Sequence, residues 1–492
     1  MAFGLITSLL SLEVVGVAWL LMLSTATILI ISSQTSYSIE LVFTRYYIPS
    51  AGHSAPLTLF HADVVRISTP DRPLFVLAPK FANEFSNHPA LRFQKYLESV
   101  FHPHISGLEV FQELARNDVL PDSIRGKLNR NLNKIVQSLL PKVATPLKEH
   151  WTDDADWHVV SPTATAEFLI PRLVSPVLAG DELGGNPVWL RAVLNYTKLS
   201  MKVGPELNLW PRLLRPLVSY LKPSCYRLRK YIREAKAIAS PVIRKRALAR
   251  TAGVQEEYLD GIRWFEEIAN GRYYHPILVQ MMAAVAFIET TGDLLAQVLI
   301  DLCGHADWEK IAQEMREEII SVFRETAVYR TALDKLTLMD SVLKESLRLK
   351  PASIMAMGRF ATEDVELSDG TKIPKNSAVC IANVAMRDPN IYPNPDTFDP
   401  YRFANLVKAG DSTAYLVTPS PKHLGFGLGH SACPGRFLAA LEVKAMLCHM
   451  LLKYDIKLAD DCRPTVLVDG AFCSADPSAK IVVRRRQEEI SL

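Results

Sequence analysis

One stretch of the chain has the residue types to hold a metal. It reads His423-Leu424-Gly425-Phe426-Gly427-Leu428-Gly429-His430-Ser431-Ala432-Cys433-Pro434-Gly435-Arg436-Phe437. A glycine-rich loop leads to one cysteine, then Pro-Gly, then an apolar stripe at helical spacing through Leu438, Leu441, Ala445, Cys448 and Leu452. Glycines let a backbone approach a flat ligand closely. Loop amides and the start of a helix can hydrogen-bond a sulfur and favour the thiolate, the form that ligates metals. A second stretch, Ala286-Phe287-Ile288-Glu289-Thr290-Thr291, sets a carboxyl beside hydroxyls inside an apolar run. Such a pair can relay protons into a dry site. The competing reading is a threonine bonded back to a helix carbonyl with Glu289 at a surface.

The elements that must position these residues follow from composition and periodicity. The chain has 492 residues, 49% hydrophobic and 22% charged, which predicts a large buried core and excludes a disordered chain. Lys+Arg 55 against Asp+Glu 52 leaves a net charge of +3, which argues against a nucleic-acid partner held by bulk charge. Seven cysteines are sparse and odd in number, so a disulfide scaffold is not expected. Most of the chain between 85 and 350 reads as helix. Trp308, Ile311, Ala312, Met315, Ile319, Val322 and Phe323 recur near helical spacing. Pro276 can open a helix whose residues to about Cys303 are apolar all round, the pattern of a central buried helix. Short strands are expected near Leu74–Leu77, Glu366–Ile373, Val379–Ala382 and Ile481–Val483. The overall class is mainly α with minor β, with no linker dividing 34–492.

The N-terminal segment reads differently. Val14 to Ile31 carry no charge, a length that suits one bilayer crossing. No Lys or Arg precedes the run, unlike a cleaved signal, and the first basic residue is Arg45. The expectation is a membrane anchor over 1–33 and a catalytic domain over 34–492 on the cytosolic face. The sequon Asn195-Tyr196-Thr197 would then go unused.

The pattern Phe426-x-x-Gly429-x-x-x-Cys433-x-Gly435 resembles the haem-binding loop of the cytochrome P-450 family, the haem-thiolate monooxygenases. Three further segments fit in order. Glu345-Ser346-Leu347-Arg348 is similar to the family's ExxR element, a pair that shares one helix face at i and i+3. Phe398-Asp399-Pro400-Tyr401-Arg402-Phe403 resembles its arginine-containing meander, and Ala286 to Thr291 its oxygen-binding stretch. The style of the loop resembles fungal microsomal members. The resemblance implies the P-450 fold, a helix-rich haem domain with a long central helix and small β-sheets behind one transmembrane helix. It implies Cys433 as axial ligand of haem b, cradled by Phe426, Gly427, Gly429, His430 and Gly435. Glu345, Arg348 and Arg402 would form a structural network, and Thr290 with Glu289 a proton relay. Two departures stand out. Phe287 replaces a usual glycine, which would narrow the distal pocket or bend the helix differently. Ser431 replaces the usual Arg or His toward a haem propionate, leaving His430 and Arg359 as candidates.

A thiolate-ligated haem supplies the chemistry that oxidises an unactivated C–H bond with O2. No nicotinamide or flavin motif is present, so the resemblance implies electrons from an NADPH-dependent cytochrome P-450 reductase, with cytochrome b5 as an auxiliary donor, at the endoplasmic reticulum membrane. Lys422, Arg436 and Lys444 form a basic docking face or are ordinary solvated charges. Phe101, Ala286, Phe287, Met355 and Phe472 are the pocket candidates, all apolar. With a membrane anchor they favour a lipophilic small molecule, such as a terpenoid or alkaloid of fungal secondary metabolism. An electron-independent dehydratase or isomerase on the same scaffold, and a non-catalytic haem-binding protein, are the competing functions. His102 and His104 read as a loop pair rather than a metal site.

Overall fold

Prolines open the long helices. In this computed structural model, which describes residues 39–40, 63–69, 72–253 and 258–492, the helices that frame the site are α1 (Phe93–Phe101), α2 (Pro162–Gly184), α3 (Pro187–Leu207), α4 (Arg215–Leu221), α5 (Pro223–Thr251), α6 (Pro276–Gly304), α7 (Trp308–Glu325), α8 (Thr337–Leu349), α9 (Arg402–Lys408) and α10 (Arg436–Lys453). A proline stands in the first turn of each of α2 to α6, at the second position in α4 (Pro216) and at the first in the others. There the missing N–H is one that the helix could not satisfy anyway. Side chains take up the other free N–H groups: Ser161 caps α2, Asn186 caps α3 and His275 caps α6. The segment 1–33, read as an anchor, lies outside the described residues.

The apolar-all-round helix α6 is buried at the centre, as its composition predicts, packed against α2, α3, α8 and α10. The main sheet joins β1 (Ile39–Glu40), β2 (Val64–Ser68), β3 (Pro73–Leu77), β4 (Leu91–Arg92), β5 (Met355–Ala361) and β6 (Ala378–Ala382) in the order β1-β2-β3-β6-β5-β4. Only β3 and β6 pair in parallel. The two-residue strands Val365–Glu366 and Lys372–Ile373 close the turn expected at Asp369-Gly370, and Ile481–Arg485 pairs with Tyr454–Leu458. All seven cysteines are free.

A bulge in β5 bears on the site. The register with β6 shifts between Ala356 and Arg359. Met357 takes φ 57°, a left-handed value that a non-glycine residue rarely adopts. Gly358 follows, and a Cβ there would come 2.3 Å from the Tyr96 ring. The bulge re-aims the strand so that Arg359 is buried.

Glu442 on α10 is fully buried, and neither carboxyl oxygen has a partner among the described residues. Burial lifts its pKa from the ordinary 4.5 to about 8. The folded state therefore holds this proton more tightly than the unfolded chain does, and the group costs stability as pH rises between those two values. Glu442→Gln keeps the shape and removes the titration. Thermal unfolding should show little difference at about pH 5 and a gain on the order of 1–3 kcal/mol at about pH 8; a pH-independent effect would contradict it.

Candidate active site

The cysteine loop is folded by its own backbone. Gly427 and Gly429 take φ 70° and 71°, values that glycine adopts without strain. A Cβ on Gly429 would lie 2.6 Å from the Asn87 side chain. The Cys433 N–H donates to the Phe426 carbonyl at 2.9 Å, closing the loop. The N–H groups of Gly435 and Arg436, at the start of α10, point at the sulfur. Burial pushes the Cys433 thiol up from its ordinary value, while those two amides and the Arg436 charge act against it. Of the seven cysteines only Cys433 is exposed, yet protein surrounds it, so its sulfur faces an internal cavity.

Helix α6 passes beside the same loop. Ala286 and Thr290, four residues apart on one face, are exposed in the middle of an otherwise buried helix. The neighbouring Phe287 is buried, and its ring would lie 2.8 Å from a Cβ on Gly435, two residues past the cysteine. Phe287 therefore presses on the thiolate loop, and α6 runs through this point without a break in helical geometry. The Thr290 hydroxyl donates to the Ala286 carbonyl at 3.3 Å. Glu289 is half-buried; burial first, then the neighbouring Asp293, raises its carboxyl pKa.

Glu345 and Arg348 of α8 are both fully buried and joined by two bonds of 2.7 and 2.8 Å. Glu345 also accepts from Arg402 at 3.0 Å and from the Asp399 N–H at 3.1 Å. Arg348 reaches on to the carbonyls of Met386 and Pro395 at 2.5 and 2.7 Å, and Arg402 to that of Pro393 at 2.7 Å. One carboxylate and two guanidinium groups thus hold the irregular stretch 386–402 against α8.

Arg359 lies 3% exposed beside the rings of Phe85 and Phe93. Its Nη1 donates to the Gly358 carbonyl, while Nη2 has no partner among the described residues. Burial lowers its pKa to about 10. Three side chains that no motif flagged brace the loop. Asn87 accepts the His430 N–H at 2.8 Å, Arg125 donates to the His430 carbonyl at 3.0 Å, and Asn129 donates to the Pro434 carbonyl at 3.1 Å. They stand more than 300 positions away and read as ordinary polar residues, so spacing could not have found them.

The model of the family described as Cytochrome P450 matches residues 266–483. Cytochrome P450 monooxygenase ausG of Penicillium brasilianum is 49% identical over 435 residues, which is 88% of this chain and 82% of that protein. The chain belongs to the cytochrome P450 family. Cytochrome P450 monooxygenase trt6 of Aspergillus terreus is 48% identical over 433 residues, 88% of each. The solved structure titled retinoic acid bound cyanobacterial CYP120A1 shares the fold, with a TM-score of 0.65 at 17% identity over 86% of this chain and 92% of that one. This P450 is therefore a monooxygenase of the oxidoreductase class, and its family and fold imply a haem-thiolate cofactor. The residues present fit that group: one exposed thiol with amides on its sulfur, a loop whose left-handed Gly427 and Gly429 carry no side chains, and a buried guanidinium with a free donor for a carboxylate.

Other expectations change. Lys444 is not a docking charge: it is buried, paired with Asp340 at 2.6 Å, and donates to the Leu333 carbonyl. Arg436 turns inward to the carbonyls of Val417 and Cys433. Only Lys422 of the three stays exposed. His102 is buried and bonded to Asn208 at 2.9 Å, in keeping with a loop role. Among the pocket candidates, Phe101 is buried and stacked on Phe111 with centroids 4.2 Å apart. Met355 is half-buried in β5, and Phe472 is 41% exposed, bridged to Ser353.

Removing one member of the α8 network leaves the others charged, buried and unpaired. Glu345→Ala should cost about 3–5 kcal/mol and prevent accumulation of haem-loaded protein in expression trials. Wild-type yield and thermal stability would contradict the role given to the network.

Proposed function

We propose that this P450 is a haem-thiolate monooxygenase that takes electrons from an NADPH-dependent reductase, with cytochrome b5 as an auxiliary donor, and oxidises a lipophilic small molecule. The observation that carries the reading is Cys433, the single exposed thiol, on a loop that Phe287 of the buried helix α6 touches beside the exposed Ala286. Haem b, which Cys433 would hold through its sulfur, would supply oxygen activation when bound. The chain's own residues then have distinct tasks. The Gly435 and Arg436 amides hold the sulfur, Arg359 offers Nη2 to a propionate, and Phe426, Gly427, Gly429 and Gly435 keep the loop close. The His430 backbone is fixed from both sides, and the residue is exposed. Glu289, its proton held more tightly than in a free glutamate, passes it to Thr290, whose oxygen can still accept while its hydrogen rests on Ala286. Ala286 lines the cavity, with Phe287 behind it and Phe101, Met355 and Phe472 on approaching elements.

The relatives from Penicillium and Aspergillus favour a fungal secondary metabolite, with a terpenoid or alkaloid the substrate class in view. Residues 1–33 would anchor the catalytic domain, 34–492, to the cytosolic face of the endoplasmic reticulum. A second surface supports membrane contact. On and beside α4, Leu213 is 93%, Leu217 59%, Tyr220 78% and Leu221 75% exposed, flanked by exposed Arg212, Arg227 and Lys230. An apolar patch of this size with a basic rim suits an anionic lipid surface.

Turnover of candidate lipophilic compounds with and without reductase tests the function. Products that gain one oxygen or lose two hydrogens should require NADPH and reductase; a product that has only lost water, or has kept its mass, formed without them would favour a dehydratase or isomerase. Thr290→Ala should lower product formation on the order of 10²-fold while NADPH oxidation continues. Unchanged coupling would remove Thr290 from the relay.

A further inference from the structure

The segment 413–418 runs between α8 and the thiolate loop, and apart from the short turn Ser412–Ala414 it has no regular structure. Charged side chains meet its peptide groups. The Lys344 side chain, on a residue with no exposed surface, donates to the carbonyls of Thr413 at 2.7 Å, Tyr415 at 2.6 Å and Thr418 at 3.2 Å. An ammonium has three donors, and all three are used. One turn earlier on the same face of α8, Asp340 accepts the Leu416 N–H at 2.7 Å and pairs with Lys444 of α10. The carbonyl between them, Val417, accepts from Arg436 Nε at 2.8 Å. The Arg436 Nη1 in turn donates to the carbonyl of Cys433 at 2.7 Å.

The contacts form a continuous linkage. Lys344 and Asp340 aim the segment, the segment aims Arg436, and Arg436 grips the residue that carries the sulfur. A buried charge adds little net stability compared with apolar packing. An apolar side chain cannot orient three carbonyls around one point. We propose that Lys344, together with Asp340, is a positioning residue for the Cys433 thiolate, acting through segment 413–418 and Arg436. The proposal rests on Cys433 being the iron ligand.

The ferrous-carbonyl Soret band reports the ligand directly, because thiolate ligation places it at longer wavelength than neutral ligation does. The test measures the rate at which purified holoprotein loses the thiolate band at a fixed temperature below unfolding. Lys344→Met takes the donor from three carbonyls; it should load haem and lose the band at least about tenfold faster than wild type. Asp340→Asn keeps an acceptor for Leu416 and should shift the rate the same way by about threefold. The control is Arg316→Met. Arg316 is a comparably buried cation on α7 that holds the carbonyls of Leu451 and Tyr454 at the far end of α10. It should lower the unfolding temperature and leave band loss unchanged at the same distance below unfolding. If Lys344→Met converts no faster than Arg316→Met, the proposal is overturned. Should Lys344→Met fail to accumulate, Asp340→Asn decides by the same criterion; if neither accumulates, the role is one of folding and the proposal fails. A wild type without the thiolate band would instead overturn the ligand reading, and this proposal with it.

Discussion

The structure depends on a carboxylate that has been taken out of water. Glu345 is fully buried, and so is Arg348, with Arg402 nearly so. Charges in that position are tolerable only when each is paired and every remaining donor finds an acceptor. That requirement organises the surrounding chain. The carbonyls of Pro393 and Pro395 and the N–H of Asp399 belong to irregular backbone, which has no helix or strand to satisfy it, and the Met386 carbonyl to the end of the short 3-10 turn Asn383–Arg387. The network supplies those partners, and its demand for them makes the irregular stretch adopt one path.

Helix α8 carries this logic twice. Glu345 and Arg348 hold 386–402, while Asp340 and Lys344 hold 413–418 on the adjoining face. Between them the two sets restrain two of the stretches that lead into the cysteine loop. The loop then needs few bonds of its own, and its glycines supply the two left-handed residues that bring the sulfur to the start of α10. On the opposite side α6 contributes rigidity of another kind, from burial on almost every face except that of Ala286 and Thr290.

Much of this was legible in the residues themselves. Pro276 and the almost uniformly apolar run, broken only around Glu289-Thr290-Thr291, predicted α6 to within its first residue, because a helix apolar on nearly every side has nowhere to go but the interior. The spacing around Cys433 and the i, i+3 pair at Glu345 and Arg348 pointed to the site and its support. What spacing could not show was direction. Lys444 and Arg436 looked like surface charges near a loop, and both turn inward because buried carbonyls and Asp340 compete for them. Phe287 looked like an obstruction over the cavity, and its ring packs on Gly435 instead. Asn87, Arg125 and Asn129 brace the loop from distant parts of the chain, a pairing that only the fold creates.

The central claim is that the Cys433 sulfur, held by the amides of Gly435 and Arg436, is the iron ligand. Resonance Raman spectroscopy of the ferric protein, grown with natural or heavy-isotope sulfur in cysteine, tests this most directly. An iron–sulfur stretching band that moves to lower frequency with the heavy isotope, and disappears in a haem-loaded Cys433→His variant, is the result expected. A wild-type spectrum with no isotope-sensitive band, or a band that persists in Cys433→His, would contradict it.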